Sequence, residues 1–251
     1  MTEPVFLGEI FNSIQGEGIF TGMRQVFVRF QGCPLQCGYC DTPQSRQATA
    51  PVCKVESVPG TGEFRDVPNP IDMETLVEII NELWSPATRH ISLTGGEPLE
   101  HAEFIDEMSR RVDYPLYIET NGCLPDEARK VQNVVDVAAC DIKLPEHNAS
   151  DDYRSLLKAE LETLGIFYEA GAVTFAKCVL TDKTSDDALQ TIARSFSDID
   201  ETLPLILQPV TPCPGFEPPL GGRLLELMDV AGEYLMDVRA VPQVHKMMGQ
   251  L

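Results

Sequence analysis

The sequence is short of positive charge. Its 251 residues carry 19 Lys and Arg against 39 Asp and Glu, which gives a formal net charge of −20 at pH 7. A surface this acidic repels phosphate backbones and anionic lipids, so we expect no direct binding to nucleic acid or to an anionic membrane. The composition suits a high-salt cytoplasm, but ordinary acidic cytosolic proteins share it.

Long hydrophobic runs are missing as well. No apolar stretch approaches the roughly 20 residues that cross a bilayer, and the start Met1-Thr2-Glu3-Pro4 lacks the basic and apolar regions of a secretion signal. We therefore expect a cytoplasmic protein whose eight cysteines are reduced rather than paired in disulfides. Cys140 and Cys178 lie in apolar runs, which predicts buried, inert thiols.

Apolar runs of strand length recur and alternate with helical patterns. The runs cover residues 26–30, 90–94, 116–120, 134–140, 173–180, 205–208 and 234–240, and the helical patterns cover about 72–83, 102–112, 152–164, 186–196 and 222–233. Asp72 can cap the first turn of the clearest helix. The alternation predicts an α/β fold with βαβ units, a partial, open (β/α) barrel of about six or seven mostly parallel strands.

One segment departs from this alternation. Residues 43–70 are polar and rich in Pro, Gly, Ser and Thr, and they show neither helical nor strand periodicity. We interpret the chain as one domain over 1–251 with a polar insertion at about 43–70. A loop this long is often functional, so it either covers the neighbouring cysteine loop and substrate pocket or is a solvated insertion without a role in chemistry.

Three closely spaced cysteines are the most informative feature. Cys33, Cys37 and Cys40 have the spacing C-x3-C-x2-C. Thiolates suit zinc and iron–sulfur clusters alike. A structural zinc site normally has four ligands, and Cys53 is the local candidate for a fourth; three thiolates on a four-iron cluster leave one iron free for a small molecule.

Polar clusters follow several predicted strands. The cysteine loop follows the run 26–30, Thr94-Gly95-Gly96-Glu97-Pro98 follows 90–93, Glu119-Thr120-Asn121-Gly122 ends 116–118, and Asp141-Ile142-Lys143 ends 134–140. Each cluster taken alone is compatible with ordinary turn chemistry. Because chemistry in parallel α/β barrels gathers at the carboxyl ends of the strands, the four together predict one site.

These residues resemble known sequence patterns. The cysteine triplet, the strand before it and the Thr94–Pro98 motif resemble the radical S-adenosylmethionine enzymes. The segment 9–18 with Gln-Gly-Glu-Gly at 15–18, then Gly22 and residues 27–33, closely resembles the 7-carboxy-7-deazaguanine synthase family. The resemblance continues through Cys40-Asp41-Thr42, the motifs at 94–98, 119–122, 141–145 and 207–210, and Gln243-Val244-His245-Lys246. It covers nearly the whole chain except 43–70.

The resemblance implies the chemistry and its residues. Cys33, Cys37 and Cys40 would hold a [4Fe-4S] cluster, which cleaves S-adenosylmethionine with one electron to a radical that removes a substrate hydrogen. The substrate would be 6-carboxy-5,6,7,8-tetrahydropterin, converted to 7-carboxy-7-deazaguanine with loss of ammonia, on the route to queuosine or archaeosine. S-adenosylmethionine would contact Tyr39, Cys40, Asp41, Gly96, Asp141, Ile142 and Lys143. The substrate would contact Ile14, Gln15, Gly16, Glu17, Arg29, Thr94 and Leu251.

Two of these roles have a chemical rationale in the residues. A pterin edge presents amide donors and acceptors that Gln15, Glu17 and main-chain groups can match, and Arg29 can form a two-pronged pair with the substrate carboxylate. The Leu251 carboxylate would accept hydrogen bonds from the pterin amine edge if the tail packs over the barrel mouth; an ordinary packed tail is the alternative.

By resemblance alone, Thr42 would bind Mg²⁺, an electron donor such as flavodoxin or ferredoxin would serve the cluster, and the protein would be a homodimer.

Two other functions remain open at the level of sequence. A glycyl-radical enzyme activase shares the cysteine spacing, the Gly-Gly-Glu-Pro run and an Asp-x-Lys segment, but as far as the resemblance goes it lacks the run at 15–18. A non-catalytic zinc-binding interaction protein would use Cys33, Cys37, Cys40 and Cys53.

Overall fold

A ten-stranded sheet organises the computed structural model, which describes residues 2–250. Its strands are β1 (Leu7–Ile14), β2 (Arg24–Phe30), β3 (Val52–Glu56), β4 (Phe64–Pro68), β5 (Thr88–Gly95), β6 (Leu116–Thr120), β7 (Val137–Ile142), β8 (Val173–Leu180), β9 (Leu205–Pro209) and β10 (Val238–Ala240). The spatial order is β10-β9-β8-β7-β6-β5-β2-β1-β3-β4. From β2 through β5 to β10 neighbouring strands are parallel, whereas β1 is antiparallel to β2 and β4 to β3. The order is linear, so the predicted open, mostly parallel barrel is confirmed, with ten strands instead of the expected six or seven.

Helices cover one face of this sheet. They are α1 (Met73–Leu83), α2 (Ala102–Ser109), α3 (Pro125–Val131), α4 (Tyr153–Glu169), α5 (Asp186–Ser197) and α6 (Gly221–Gly232); the short α7 (Val244–Met247) instead contacts the loop after β1. The buried side chains of α1 to α6 join one large core with the strands. The predicted cap is present, because the Asp72 carboxylate accepts a hydrogen bond of 2.8 Å from the Thr75 N–H. Among residues 2–250, no helix has the length and apolar character needed to cross a membrane.

The inner face of the sheet, opposite the helices, changes from apolar to polar toward the carboxyl ends of the strands. Side chains alternate between faces, so Leu116 and Ile118 join the helix-side core while Tyr117 points inward. Tyr117, Phe175 and Ile206 form an apolar inner cluster that Phe20 covers. Two positions further toward the carboxyl ends, the inward residues become polar: Glu119 on β6, Asp141 on β7, Lys177 on β8 and Gln208 on β9. The sheet therefore provides an apolar floor below a polar site.

Residues 43–70 were interpreted from sequence as a polar loop without strands, and this interpretation was wrong. The segment contains β3 and β4, an antiparallel hairpin that extends the sheet beyond β1. β4 is an edge strand with mostly exposed or half-buried side chains, which is why its sequence lacks apolar alternation. The Glu56 carboxylate closes the hairpin turn by accepting a hydrogen bond from Gly60 N (2.8 Å), and it joins the hairpin to β1 by accepting one from Asn12 N (3.0 Å). Cys53, predicted in a polar loop, is fully buried on β3 in the main core.

Other boundaries differ from the sequence prediction. The predicted run 134–140 is shifted relative to β7, which begins at Val137 and ends at Ile142. Of the predicted run 234–240, only the last three residues form a strand, β10. β1 and α3 have no counterpart among the predicted elements. Cys140 and Cys178 are fully buried, as predicted.

Candidate active site

A cleft opens at the carboxyl ends of the parallel strands. It holds about 1120 Å³ of empty space, part of it open to solvent. The cleft brings together most of the site residues predicted from sequence: Ile14, Gln15, Gly16, Glu17, Arg29, Cys33, Cys37, Tyr39, Cys40, Asp41, Thr42, Thr94, Gly96 and Asp141. Ile142 is 1% exposed in the helix-side core, and Lys143 is 4% exposed behind Asp141, so neither lines the cleft. Leu251 lies outside the described residues.

The cysteine loop is held by its backbone. Gly38 N donates to His147 O (2.9 Å), Gln36 N donates to Ala149 O (3.2 Å), and the Arg46 guanidinium donates to Cys37 O. The three thiols are half-buried along the cleft wall. Burial raises the pKa of Cys33 to about 11 and also raises the pKa of Cys37. Burial thus disfavours both thiolates, which a cationic partner would stabilise.

The Gly95-Gly96 pair packs against this loop. A side chain at Gly96 would place its Cβ 1.7 Å from Gly32 O, and Gly95 has a φ of +118°, a conformation that favours glycine. Gly96 N donates to Phe30 O (2.9 Å) and Glu97 N to Gly32 O (2.7 Å). Glycine at these positions thus allows close contact between two backbone segments of the protein, the Gly95-Gly96 turn and the cysteine loop.

Glu97 fastens the same motif to β6. Its fully buried carboxylate accepts hydrogen bonds from Leu99 N (3.0 Å), Thr120 Oγ1 (2.7 Å) and Asn121 N (2.7 Å). Burial raises the pKa of Glu97 to about 7 despite these donors. Asn121 in turn places its amide 3.6 Å from Cys33 Sγ. The motif therefore connects the end of β6 to the cysteine loop.

The segment after β1 forms the opposite wall. Gln15 Nε2 donates to Glu119 Oε1 (2.7 Å), Thr94 Oγ1 donates to Glu119 Oε2 (2.7 Å), and Glu17 N donates to Gln15 Oε1 (3.0 Å). Burial raises the pKa of Glu119, and Lys177 opposes that shift. Because the protein itself orients Gln15 and Thr94 through Glu119, a ligand meets a preorganised set of amide and carboxylate groups.

An ion pair between Lys143 and Asp141 lies beside the cysteine loop. Lys143 Nζ donates to Asp141 Oδ2 (2.6 Å) and to Tyr39 Oη (3.2 Å). Although burial favours the neutral acid, Lys143 and Lys177 lower the pKa of Asp141 to about 2. Lys143 thus holds Asp141 and Tyr39 in place and does not itself reach the cleft.

Known proteins share both the sequence and the fold. The profile of the Radical SAM superfamily matches residues 27–194. The 7-carboxy-7-deazaguanine synthase of Methanocaldococcus jannaschii is 38% identical, over 97% of this chain and 99% of that protein. Proteins with the same name from Methanothermobacter thermautotrophicus (38% identical, 96% of each chain) and Geobacter sulfurreducens (36% identical, 98% of this chain and 97% of the other) are also similar.

The chain belongs to the 7-carboxy-7-deazaguanine synthase family. Solved structures agree on the fold: QueE from Escherichia coli has a TM-score of 0.57 at 21% identity over 96% of this chain and 94% of that one. A radical SAM methyltransferase from Sphaerobacter thermophilus has a TM-score of 0.63 at 15% identity, over 88% of this chain and 66% of the other. The comparisons do not favour the glycyl-radical activase or the zinc-binding protein.

The family implies a [4Fe-4S] cluster and S-adenosylmethionine as cofactors. The cysteines suit such a cluster, because each thiolate binds a different iron and the three need not meet at one point. Within residues 2–250, no three His, Cys, Asp or Glu side chains converge on a position for a single metal ion. Cys53 lies in the core rather than the cleft, so the four-thiolate zinc site is not formed.

Several cleft residues of this family member escaped the sequence prediction. They are Phe11, Phe27, Arg46, Glu119, Lys177, Gln243 and His245. Lys177 had a detectable signal, because it is a lone charge within the apolar run 173–180. Glu119 begins a polar cluster that sequence analysis placed at a strand end without giving it a role. Gln243 and His245 belong to a family motif, but their approach to Glu17 and Gly16 depends on tertiary structure.

Proposed function

We propose that the chain converts 6-carboxy-5,6,7,8-tetrahydropterin to 7-carboxy-7-deazaguanine with loss of ammonia, for queuosine or archaeosine biosynthesis. The observation that carries this proposal is the single cleft that unites the three cysteines, Gly96 and the segment Gln15 to Glu17. Family membership over nearly the full length of the relatives supports it.

The cysteine side of the cleft is proposed to hold the cofactors. Cys33, Cys37 and Cys40 would bind the cluster, and Gly96, Tyr39 and Asp141 would bind S-adenosylmethionine beside it. When bound, the reduced cluster and S-adenosylmethionine supply the one-electron chemistry that removes a hydrogen from the substrate. Below the polar residues of the strands, Tyr117, Phe175 and Ile206 close the inner face of the sheet with apolar side chains.

The wall after β1 is proposed to recognise the pterin. Glu17 and the Gln15 amide offer acceptors and donors to its amide edge, and Thr94 completes this surface. Arg29 lines the same cleft, and Glu9 takes only its Nε atom, at 2.6 Å. This pairing supports the proposal that the two Nη atoms pair with the substrate carboxylate. The role of Leu251 stays a prediction of the sequence.

Thr42 is proposed to bind Mg²⁺ together with the substrate. It precedes the 3₁₀ turn Pro43–Arg46, but its side chain makes no capping hydrogen bond there. Its hydroxyl lies 4.0 Å from Cys40 Sγ and its side chain lines the cleft. This threonine therefore has a hydroxyl oxygen to offer a hard cation, which usually keeps several of its waters.

The reaction needs an external electron donor, for which we propose a flavodoxin or a ferredoxin. Because it also needs reduced thiolates, we propose that the enzyme works in the cytoplasm. We further propose a homodimer, which sedimentation of the cluster-loaded protein will test.

A product assay tests the proposed function. Anaerobically reconstituted protein is mixed with the tetrahydropterin, S-adenosylmethionine, Mg²⁺ and a reductant. The products are then separated and identified by mass spectrometry. We expect 7-carboxy-7-deazaguanine, and omission of any one cofactor should reduce its formation. A protein that cleaves S-adenosylmethionine but leaves the pterin unchanged would contradict the proposed substrate.

A further inference from the structure

Lys177 joins two parts of the cleft that have different proposed ligands. It projects inward from β8, and its side chain is 13% exposed. Its ammonium pairs with the Glu17 carboxylate on one side and with Asp141 Oδ1, at 3.3 Å, on the other. Glu17 belongs to the pterin wall and Asp141 to the S-adenosylmethionine wall, so one cation bridges the two subsites.

The charges around Lys177 keep this bridge ionised. Although burial disfavours its charge, Asp141, Glu17 and Glu119 raise the pKa of Lys177 well above its ordinary value. Lys143 also pairs with Asp141 (2.6 Å), so the Asp141 carboxylate is shared between the two cations Lys143 and Lys177. The ammonium thus remains charged while its two partners engage ligands.

Glu17 connects the bridge to the other residues of the pterin wall. Its Oε1 accepts a hydrogen bond from Gln243 Nε2 (2.7 Å), and its backbone N–H is fixed by Gln15 (3.0 Å). Gln15 in turn contacts Glu119, which Thr94 also contacts. A change in the position of Lys177 therefore reaches the donors and acceptors that face the pterin.

We propose that Lys177 is a positioning residue that makes the binding of the pterin and the binding of S-adenosylmethionine mutually favourable. The proposal rests on the proposed function, which assigns Glu17 and Asp141 to these two ligands. The Glu17–Lys177–Asp141 ion pairs are already formed, and whichever ligand binds first excludes water from them and restricts their side chains further, so the second ligand loses less binding free energy in ordering them. Coupling between sites in proteins typically changes affinity about 5- to 150-fold, and the effect is reciprocal.

Ligand binding to cluster-loaded protein without reductant tests the proposal, since S-adenosylmethionine stays intact under these conditions. Calorimetry gives the Kd of S-adenosylmethionine with and without saturating tetrahydropterin, under anaerobic conditions. We expect the pterin to lower this Kd by about fivefold or more in the parent protein. Lys177→Met should bring the ratio of the two Kd values close to one, and Lys177→Arg should restore most of the coupling.

Two further variants separate coupling from folding. Lys130→Met removes an exposed lysine of α3 that pairs with Glu127 and Glu103, and it should keep the parent ratio. Asp141→Asn breaks one end of the bridge while Lys177 keeps its pairing with Glu17, so the ratio should also approach one even where Lys177→Met folds poorly.

Each result has a defined meaning. Lys177→Met or Asp141→Asn with the parent ratio overturns the coupling role of Lys177. A parent protein that binds both ligands with no mutual effect also overturns it, although the proposed function survives if that protein forms the product. A parent protein that neither binds nor converts the pterin contradicts the proposed function itself.

Discussion

At the scale of single residues, cysteine position separates cluster ligands from core thiols. Cys33, Cys37 and Cys40 line the cleft, whereas Cys53 is fully buried on β3. Replacement of any one of the three with Ala should abolish cluster binding and S-adenosylmethionine cleavage. Cys53→Ala should keep the iron content and cost about 1 kcal/mol of stability, because it removes only one buried sulfur. Iron analysis and absorption near 400 nm check this, and full occupancy in Cys37→Ala would refute the assignment.

The hydroxyl of Thr42 should control the response to magnesium. Thr42→Ala removes the proposed oxygen ligand, so turnover should respond less to added Mg²⁺ while the iron content stays at the parent level. Thr42→Ser is the matched control, because it keeps the hydroxyl and should keep most of the response. A magnesium titration of turnover makes the comparison. Identical titration curves for Thr42→Ala and the parent would mean that the residue only shapes the turn.

Glu160 on α4 should make stability depend on pH. Its fully buried carboxyl accepts a hydrogen bond from Lys143 N (3.1 Å), and burial raises its pKa to about 8 from an ordinary 4.5. The stability that the neutral acid contributes is therefore complete below about pH 4.5 and lost as the pH rises through about 8.

The variant Glu160→Gln has no such titration. Relative to the parent, its free energy of unfolding should increase by up to about 1.4 kcal/mol per pH unit between pH 5 and 8, and then level off. Urea unfolding across this range measures the difference between the two proteins. A difference that stays constant with pH would show that the Glu160 carboxyl is already ionised in the folded protein at pH 5.

At the scale of elements, the contact between α7 and the loop after β1 should shape the pterin wall. Val244 N donates to Gly16 O (2.9 Å), and a Cβ on Gly16 would lie 2.0 Å from His245 Nδ1 and 2.5 Å from its backbone N. Gly16→Ala must therefore move α7, and with it the Gln243 side chain that contacts Glu17. Glu17 is then displaced from its proposed contact with the pterin, and loss of one charge-assisted hydrogen bond to the ligand costs about 1.5–3 kcal/mol, so pterin affinity should fall about tenfold or more.

Gly165→Ala provides the control for that substitution. Gly165 lies within α4, and an added Cβ meets no atom within 4 Å, so pterin affinity should stay unchanged while stability rises by up to about 1 kcal/mol. Calorimetric binding of the pterin compares the two variants. Parent-like affinity in Gly16→Ala would show that α7 does not support the substrate wall.

Elements with a clear hydrophobic period were predictable from the sequence. The limits of β8 match the run 173–180, and α1 begins after the cap at Asp72, because in both cases one local pattern dominates. Strand β4 was missed because an edge strand buries few side chains, so its sequence reads as a polar loop; β3 was missed because it has only five residues, three of them buried, too few for a clear pattern. Contacts across the site could not be predicted from the sequence either, because residues such as Lys177 and Glu17 lie 160 positions apart.

At the scale of the whole molecule, charge is distributed unevenly. The net charge is −20, yet the cations Lys143 and Lys177 are nearly buried between carboxylates at the cleft. The remaining surface therefore carries the acidic excess, and its repulsion opposes the compact state. Exposed pairs such as Arg129–Glu162 and Arg110–Asp106 offset little of it, because each contributes about 0–1 kcal/mol.

Salt should consequently stabilise the fold. Between about 0.01 M and 1 M salt the screening length falls from about 30 Å to about 3 Å, which suppresses long-range repulsion more than it weakens buried pairs. For a protein of this size each kcal/mol corresponds to about 2–4 °C, so the midpoint of thermal unfolding should rise by several degrees. NaCl and KCl should give the same curve, because screening depends on ionic strength; sulfate is avoided, since its exclusion from the surface stabilises proteins by another route. A midpoint that stays flat or falls in both chlorides would mean that the exposed ion pairs outweigh the repulsion among the excess acidic groups.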